Sequence, residues 1–371
     1  MKQYDYIHYF LMDSFVFNKS IQTLIEENDN KHSHLFVYKT SQQENNFVDE
    51  TIKDVQSIEK YLKVGKFIVI HGLKYKTWQI LKIKDSFASR LIWCVWGSDL
   101  YPSPKQESYK PYYKKFKDVL SFISGKLILN HLANRKISKF RAIFYGFPGD
   151  KDIITKKFGN SVDTYNVLYP IGIFSDEVLQ SLSHKKNILH KKEKLNILIG
   201  HSAFPFLKHN KWLTNLNEFN KQIEVFLPLS YGDKTYANDL ERKCQTKFKE
   251  FCHIVKNLMA PREYVEFLND IDWAILDFKH QAAFGNIILL FFLKKRVYMP
   301  SDSVMFKQFN NMGLKVYDLD NLLIDLSETL VEDINSSYSV ELERNYEYAN
   351  NLIAKNNIIE QWNNAFSNIN A

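Results

Sequence analysis

The sequence predicts an α/β protein built from two doubly wound domains, each a parallel sheet covered by helices. Short apolar runs alternate with helix-compatible segments along both halves of the chain. A length of 371 residues suits two domains of ordinary size. Hydrophobic residues make up 45% and charged residues 25% of the chain, which indicates folded domains and excludes a disordered protein.

The first half contains six candidate strands, each a short apolar run between polar segments. They are residues 6–10, 35–38, 67–70, 91–96, 127–129 and 142–144. Residues 78–87, between the third and fourth runs, have helical spacing. A strand, a helix and a strand in succession favour a parallel sheet.

The second half contains five clearer strands, separated by segments that suit helices, which is a doubly wound pattern. They are residues 196–199, 223–227, 252–255, 273–276 and 296–299. A lysine-rich stretch, 184–194 (HKKNILHKKEK), predicts the linker before them. We therefore expect an N-terminal domain over 1–185, a C-terminal domain over 194–340, and a helical tail over 341–371 that packs back on the N-terminal domain.

Charge is distributed unevenly along the chain. The formal net charge is +7, and residues 1–190 hold 28 Lys and Arg against 19 Asp and Glu, a balance of +9. The positive half suits anionic lipid headgroups, an anionic glycan or nucleic acid, and charge alone does not choose among them.

The cysteines and the apolar runs limit the location of the protein. Cys94, Cys244 and Cys252 are too few and too scattered for a disulfide framework or a zinc site. The N-terminus lacks a signal-peptide pattern. The apolar run 287–293 is far shorter than the roughly 20 residues that cross a bilayer. We expect a protein of the reducing cytoplasm that does not span a membrane.

Three loops of the second half are candidate ligand-binding segments, because ligands of open α/β sheets bind beyond the carboxyl ends of the strands. They are 200–205 (GHSAFP), 228–236 (PLSYGDKTY) and 277–286 (DFKHQAAFGN). Their glycines permit close backbone approach, their polar side chains suit a diphosphate, and Lys279 would offset phosphate charge. The candidate binding residues are Gly200, His201, Ser202, Ser230, Tyr231, Gly232, Asp233, Tyr236, Asp277, Lys279, Gln281, Gly285 and Asn286.

Each of these loops also has a purely structural interpretation. His201 would only bond a neighbouring carbonyl group in a turn, and Asp233 would only cap the helix that starts near Lys234. The small residues Ala282, Ala283 and Gly285 would serve only to let a helix pack closely on the sheet.

The candidate catalytic residues are Asp99, His71 and Lys279. Asp99 follows an apolar strand in the sequence WCVWGSDLYP, where a carboxylate could act as general base for an acceptor hydroxyl. His71 ends the neighbouring strand. The alternatives are a turn or cap role for Asp99 and a core hydrogen bond for His71.

Residues 105–117 (KQESYKPYYKKFK) interleave lysines with aromatic residues, a pattern that suits a membrane surface. The candidate contacts are Lys110, Tyr112, Tyr113, Lys114, Lys115 and Lys117. The alternative is a solvated helix face.

Several motifs are missing from the sequence. It contains no phosphate-binding loop of the Walker type, no dinucleotide glycine fingerprint, no zinc spacing and no nucleophile elbow. Asp318 and Asp320 lie too late in the chain to form a metal-binding carboxylate pair at an expected strand end. We expect a reaction that uses no metal and no cofactor.

Four stretches resemble glycosyltransferase family 56, the 4-acetamido-4,6-dideoxygalactose transferases of enterobacterial common antigen synthesis. They are 197–207 (ILIGHSAFPFL), 228–236 (PLSYGDKTY), 261–275 (with PREYVEFL and DIDWAI) and 276–287 (LDFKHQAAFGNI). In the first half, 96–101 (WGSDLY) carries a looser likeness.

The resemblance implies a GT-B architecture, with two Rossmann-like domains facing each other across a cleft. It also implies a dTDP-sugar donor held by the second domain, and a polyprenyl-diphosphate-linked glycan acceptor at the cytoplasmic face of the bacterial inner membrane. A composition rich in Lys, Asn and Ile suggests a divergent member with another surface-polysaccharide acceptor, such as an O-antigen.

Other functions remain open at this point. A peripheral glycosyltransferase with another nucleotide sugar and a non-catalytic sugar- or nucleotide-binding protein both fit the loops. A non-hydrolysing nucleotide-sugar epimerase would need more acidic residues. Nucleic acid is not expected as a partner, because the lysines are scattered and no recognition motif accompanies them.

Overall fold

The computed structural model describes residues 3–10, 15–38, 48, 55–73, 77–97, 99–101, 116–170, 194–332 and 340–370. The chain divides into two compact units. The first unit comprises Met1–Pro170 with Lys355–Ala371, and the second comprises Ile171–Ala354. The predicted linker lies outside the described residues except at Lys194.

The first unit alternates strands with helices, as the sequence predicts. Its elements are β1 (Tyr4–Phe10), α1 (Phe15–Asn28), β2 (His34–Tyr38), a 3-10 helix (Val55–Lys63), β3 (Gly65–His71), α2 (Thr77–Leu81), α3 (Asp85–Ala88), β4 (Leu91–Cys94), α4 (Phe116–Ile137), β5 (Ala142–Tyr145), α5 (Asp150–Phe158) and β6 (Asp163–Asn166).

All six strands of this unit form one parallel sheet in the order β2-β1-β3-β4-β5-β6. Strand order reverses between β1 and β3, which places the topological switch point there. Phe10 lies opposite Tyr38 on one side and His71 on the other. These three residues therefore mark the carboxyl edge of the sheet.

The strand predicted at 127–129 is wrong, because these residues belong to helix α4. A run of three apolar residues cannot by itself distinguish a strand from a helix. Leu127, Ile128 and Leu129 are 64%, 61% and 46% exposed, so the run is an apolar helix surface. The helix predicted over 78–87 is divided into α2 and α3.

The second unit is also an alternation of strands and helices. Its elements are β7 (Leu195–Ile199), α6 (His209–Asn215), β8 (Ile223–Pro228), α7 (Lys234–Phe248), β9 (Cys252–Val255), α8 (Pro261–Asn269), β10 (Trp273–Ile275), α9 (Phe284–Phe292), β11 (Arg296–Met299), α10 (Val304–Asn311), β12 (Tyr317–Asp318), α11 (Leu322–Glu332) and α12 (Val340–Ile353). Short 3-10 helices lie at Pro205–Leu207, Leu216–Phe219, Lys249–Phe251 and Leu319–Asn321.

The second sheet is parallel and has the order β12-β11-β10-β7-β8-β9. This is the strand order of dinucleotide-binding sheets, with the switch point between β7 and β10. The backbone N–H of Gly200 donates to the carbonyl of Ile275 at 2.9 Å, so the loops that follow β7 and β10 begin side by side.

Cys244 and Cys252 form a disulfide between α7 and β9. The cysteines were predicted to be too few and too scattered for a disulfide framework, and this bond was not expected. The short 3-10 helix over Lys249–Phe251 brings the helix end back to the strand start, and Cys94 is free and buried.

Helix α13 (Lys355–Asn370) packs within the first unit, whereas α12 belongs to the second. The indole N–H of Trp362 donates to the carbonyl of Leu168 at 2.9 Å, and the Tyr6 hydroxyl donates to the carbonyl of Phe366 at 2.8 Å. Among the described residues, no helix combines the length and apolar character that a membrane span requires.

Candidate active site

The three loops that the sequence singled out in the second half lie together at the carboxyl edge of the second sheet. The loops after β7 and β10 leave adjacent strands at the switch point. The loop after β8 is tied to the first of them, because Ala203 N–H donates to the Tyr231 carbonyl at 2.8 Å and Asp233 N–H donates to the Ala203 carbonyl at 2.9 Å. One continuous surface results.

Two glycines make this close packing possible. Gly200 has φ +69°, and a Cβ there would lie 2.5 Å from Nε2 of His209. Gly232 has φ +118°, and a Cβ would lie 2.6 Å from the Ala203 carbonyl oxygen. Since both positions exclude a side chain by space and by φ, only glycine fits.

Buried histidines next to these glycines retain polar atoms that no described residue satisfies. Nδ1 of His201 and Nε2 of His209 are such atoms, although Nδ1 of His209 lies 3.4 Å from the Tyr236 hydroxyl. Burial lowers the pKa of His201 to about 4 and that of His209 to about 3. Both rings are therefore neutral near pH 7, and each can donate or accept one further hydrogen bond.

Asp277 is buried at the carboxyl edge of the second sheet and binds two lysine side chains there. Its carboxylate accepts from Lys208 Nζ at 2.6 Å, from the Trp212 indole N–H at 3.0 Å and from Lys211 Nζ at 3.4 Å. The aspartate itself is 1% exposed, whereas the lysine side chains are 45% and 48% exposed. Asp277 thus positions two lysines whose other N–H groups remain available.

Sequence reasoning missed Lys208, Lys211 and Trp212. The available signal was the basic and aromatic run 208–212 (KHNKW), which begins nine residues after Ile199, the last residue of β7. Its pairing with a carboxylate some 65 residues later becomes visible only in the fold.

Lys279 lies farther out on the loop after β10. It is exposed and forms an ion pair with Asp302, and a hydrogen bond with that carboxylate raises the pKa of Lys279. Gln281 is half-buried, and Gly285 and Asn286 lie in the first turn of α9. Ala283, just before this helix, has φ +53°, a conformation that is unfavourable for a residue with a Cβ and that persists where the surroundings require it.

The loop after β8 combines a structural role with an accessible surface. Asp233 caps α7 by accepting from the Tyr236 N–H at 3.0 Å, so the capping role predicted as an alternative is present. Ser202 is fully buried and Ser230 is half-buried. Tyr231 and Phe204 are 48% and 37% exposed, and their ring centroids lie 6.3 Å apart.

Asp99 in the first unit is held by three protein donors. Oδ2 accepts from Leu73 N–H and from the Trp93 indole N–H, both at 2.8 Å, and Oδ1 accepts from Trp96 N–H at 2.9 Å. Burial raises the pKa of Asp99. The carboxylate ties the loop after β3 to the loop after β4, which is the turn role stated as the alternative above.

His71 belongs to a hydrogen-bonded chain of buried rings. Its Nε2 lies 2.9 Å from Nδ1 of His8, and its Nδ1 contacts the Tyr169 hydroxyl. His8 Nε2 in turn lies 3.0 Å from Nδ1 of His34. Burial lowers the pKa of His71 to about 3, so the ring is neutral and lies behind the half-buried Tyr169.

Lys110, Tyr112, Tyr113, Lys114 and Lys115 lie outside the described residues. Lys117 lies in the first turn of α4, whose side chains are described from Leu127 onward. The predicted contact of these residues with a membrane stays a prediction.

Comparison with known proteins identifies the family. Residues 28–367 match the model of a family described as 4-alpha-L-fucosyltransferase, glycosyl transferase group 56. Among solved structures, Anabaena Alr3699/HepE in complex with UDP and glucose has a TM-score of 0.65 at 11% identity, covering 98% of this chain and 100% of that one.

Two further solved structures share the fold. A glycosyltransferase from Rickettsia africae has a TM-score of 0.63 at 11% identity, over 100% of this chain and 99% of that one. An alpha,alpha-trehalose-phosphate synthase (UDP-forming) from Burkholderia vietnamiensis has a TM-score of 0.57 at 10% identity, over 100% and 99%.

These likenesses confirm the predicted α/β fold of GT-B type with two parallel-sheet domains, and the family confirms that the protein is a glycosyltransferase. The match spans both units. The chain belongs to glycosyl transferase group 56.

Proposed function

We propose that the protein transfers 4-acetamido-4,6-dideoxy-D-galactose, or a related deoxy-amino-sugar, from a dTDP donor to a polyprenyl-diphosphate-linked glycan during bacterial surface polysaccharide synthesis. The group 56 match supports the reaction class. A fold similar to HepE, which was solved with UDP and with UDP-glucose, supports a pyrimidine nucleoside diphosphate donor.

The observation that carries this proposal is the buried, unsatisfied ring nitrogen of His201 at the switch point of the second sheet. A buried polar atom without a partner costs roughly 1–3 kcal/mol. In a native protein a bound ligand or an ordered water supplies such a missing partner, and a ligand is favoured here because ligands of open α/β sheets bind at the switch point. His201 lies on the loop that also bears Lys208, so the ligand group nearest to it is the donor diphosphate.

The leaving diphosphate would gain charge as the sugar departs, and cations placed in advance stabilise that charge. Asp277 holds Lys208 and Lys211 in place, and these two lysines supply the positive charge most directly. Lys279 lies on the adjacent loop and adds a more exposed charge. We propose that the transfer needs no metal ion, since these lysines take the role that a carboxylate-bound metal has in other transferases.

On the acceptor side, an inverting transfer requires a base for the attacking hydroxyl. Asp99 accepts from three protein donors, so we assign it the role of positioning the loops after β3 and β4. His71 contacts the hydroxyl of Tyr169, which is half-buried. We propose that this pair accepts the acceptor proton.

Helix α4 supports a peripheral location at the inner membrane. Leu127, Ile128, Leu129 and Leu132 are 43–64% exposed, and Trp78 on the neighbouring α2 is 47% exposed, with Lys82 Nζ 4.5 Å from its ring centroid. Apolar side chains beside cations suit the interface of an anionic bilayer. We propose that this surface contacts the cytoplasmic leaflet.

Sedimentation with vesicles tests the membrane contact. Vesicles of phosphatidylglycerol and phosphatidylethanolamine should sediment the protein, whereas Leu127→Glu combined with Leu132→Glu should leave it in solution. Leu258→Glu is the matched control, because Leu258 is 75% exposed in the second unit. Equal sedimentation of all three proteins would contradict the assignment.

Thermal unfolding with nucleotides tests the donor. A ligand that binds only the native state raises the melting temperature, so we expect dTDP to stabilise the protein more than UDP, GDP or CMP. Selective stabilisation by another nucleotide would overturn the dTDP donor and keep the enzyme class. No response to any of the four would contradict the donor site at the second sheet.

A further inference from the structure

A second polar cluster lies at the opposite, amino edge of the first sheet, in the connection between α1 and β2. Asp29, His32 and His34 each present one potential metal-ligand atom, and these three atoms lie within 4.8 Å of one another. Among the described residues, no other group of three His, Cys, Asp or Glu side chains converges in this way.

We propose that this cluster binds one divalent transition-metal ion of the zinc class through Oδ2 of Asp29, Nδ1 of His32 and Nε2 of His34. Oδ2 lies 2.9 Å from the first nitrogen and 3.1 Å from the second. Tetrahedral zinc with bonds of about 2.0–2.2 Å holds its ligand atoms roughly 3.3 Å apart. The two ring nitrogens lie within 4.8 Å of each other, so the rings would close by at most about 1.5 Å to admit the ion.

The ligands are oriented before any ion arrives. The other carboxylate oxygen of Asp29, Oδ1, accepts from Lys31 N–H at 3.0 Å and from His32 N–H at 3.2 Å, which directs Oδ2 toward the rings. The side chains of Asp29, His34 and His32 are only 4%, 6% and 13% exposed. The fixed loop therefore lowers the entropic cost of assembling a metal site.

Hydrogen bonds also orient the back of the site. Nδ1 of His34 lies 3.0 Å from Nε2 of His8, so its second ring nitrogen has a hydrogen-bond partner, as in metal-binding histidines generally. Tyr6 stacks on the His34 ring with centroids 5.5 Å apart. Three protein ligands leave a fourth position for water, as in zinc sites that remain open to a ligand.

The surrounding charge favours a cation. Asp5 is a second carboxylate beside the cluster, and its Oδ2 accepts from the N–H and from the hydroxyl of Ser33, both at 2.9 Å. Two carboxylates and two imidazoles that are neutral when they bind a metal complement a divalent charge.

Occupancy of the metal site would determine which ring nitrogen carries the proton in each of the hydrogen-bonded histidines His34, His8 and His71. An ion on His34 Nε2 leaves the ring proton on Nδ1, where it donates to His8 Nε2. His8 Nδ1–H then donates to His71 Nε2, and His71 Nδ1–H donates to the Tyr169 oxygen. Without the ion, the Asp29 carboxylate accepts from His34 Nε2–H, and every one of these donations is reversed.

The change between the metal-free and the metal-bound arrangement conserves protons. The protons on His34 Nε2 and His32 Nδ1 leave as the ion arrives, and Nε2 of His32 takes up one proton from solvent, so that ring stays neutral. One proton moves across each hydrogen bond toward His34, and one proton enters at Tyr169. All three rings of the chain stay neutral, and each changes from its Nε2–H to its Nδ1–H tautomer.

Isothermal titration of the chelator-treated full-length protein with Zn²⁺ tests the site directly, and the visible absorption of bound Co²⁺ reports its ligands. We expect one saturable site per chain and at least a tenfold loss of affinity in His32→Ala and in His34→Ala. His131→Ala is the matched control, because His131 is exposed on α4 and should leave the affinity unchanged.

His34→Ala removes a partner of buried His8 and could unfold the unit, whereas His32 is the most exposed of the three ligands, so His32→Ala keeps the test valid. Nitrogen-15 spectra should show the His8 and His71 rings changing from the Nε2–H to the Nδ1–H tautomer when Zn²⁺ is added. The absence of a saturable site, or equal affinity in His32→Ala, would overturn the proposal and leave a hydrogen-bonded cluster only. None of these results depends on the identity of the sugar donor.

Discussion

The two sheets have the same parallel architecture, but their carboxyl edges differ in how polar groups are satisfied. In the first unit, Asp99 accepts from three donors and both ring nitrogens of His71 have partners. In the second, His201 and His209 each keep a buried nitrogen that no described residue satisfies. A strand-end residue that keeps a buried nitrogen without a partner therefore indicates a ligand more directly than one whose partners all belong to the protein.

The largest expected effect is on stability, in the first unit. Asp99→Asn replaces one of two accepting oxygens with a donor, so it leaves buried N–H groups without an acceptor. At roughly 1–3 kcal/mol for each unsatisfied group, we expect a loss of about 3 kcal/mol in the free energy of unfolding. Urea denaturation measures it.

The control for this change is Asp152→Asn, since Asp152 is exposed in the first turn of α5 and should alter stability little. Donor affinity of the folded Asp99→Asn protein should equal that of the parent. Unchanged stability with lost turnover would instead give Asp99 the general-base role.

The next effect concerns the lysines of the second unit. Lys208→Met should weaken dTDP binding about tenfold, because a charge-assisted hydrogen bond to phosphate contributes roughly 1.5 kcal/mol or more. Lys243→Met is the matched control, since Lys243 also pairs with an aspartate and is 47% exposed against 45% for Lys208.

Lys279→Met, measured by the same calorimetry, should weaken binding less than Lys208→Met, because Lys279 is more exposed, at 66%, and is paired with Asp302. A larger loss for Lys279 would transfer the principal phosphate contact to the loop after β10.

A smaller effect is expected from His201→Phe. Phenylalanine keeps an aromatic ring at this position but has no ring nitrogen. We therefore expect dTDP affinity to fall about fivefold, and the melting temperature of the ligand-free protein to stay level or rise. His253→Phe is the control and should leave dTDP affinity unchanged, because Nε2 of His253 already has a protein partner, Glu224, at 2.7 Å. A loss of stability without a loss of affinity would place His201 in the core.

The smallest effect is on the pH dependence of stability. The pKa of His201 is about 4 in the folded protein, below the value near 6.5 of an unfolded chain. The unfolded state therefore binds the proton first, and stability falls as pH drops from about 6.5 toward 4. Between pH 7 and 6, His201→Phe should remove roughly 0.5 kcal/mol of this dependence in urea titrations, and an identical slope would contradict the neutral, buried ring.

Most strands could be predicted from the sequence because their residues are apolar and buried. Strand β6 (Asp163–Asn166) could not, since its residues are polar and none is buried. The run 127–129 has a strand-like composition but lies on a helix, where tertiary packing decides the conformation. Periodicity therefore predicts buried elements well and surface elements poorly.

The candidate site was predicted in part. Glycines at strand ends are visible in a sequence, so the loops at Gly200 and Gly232 were found. The cation cluster around Asp277 was missed because it joins residues that meet only through the sheet order. The cluster at Asp29 was also missed, because Asp29, His32 and His34 precede the predicted strand 35–38 and converge only where the chain turns from α1 into β2.

The return of α13 to the first unit affects how the protein is made. The Tyr6 hydroxyl bonds to the backbone of Phe366, and Arg141 donates to the carbonyl of Ile369 at 2.9 Å. Domains generally fold as units while the ribosome is still extending the chain, from the N-terminus onward. Here the first unit to be translated cannot complete its own packing until residues 355–370 have emerged, so the second unit has the opportunity to fold before it.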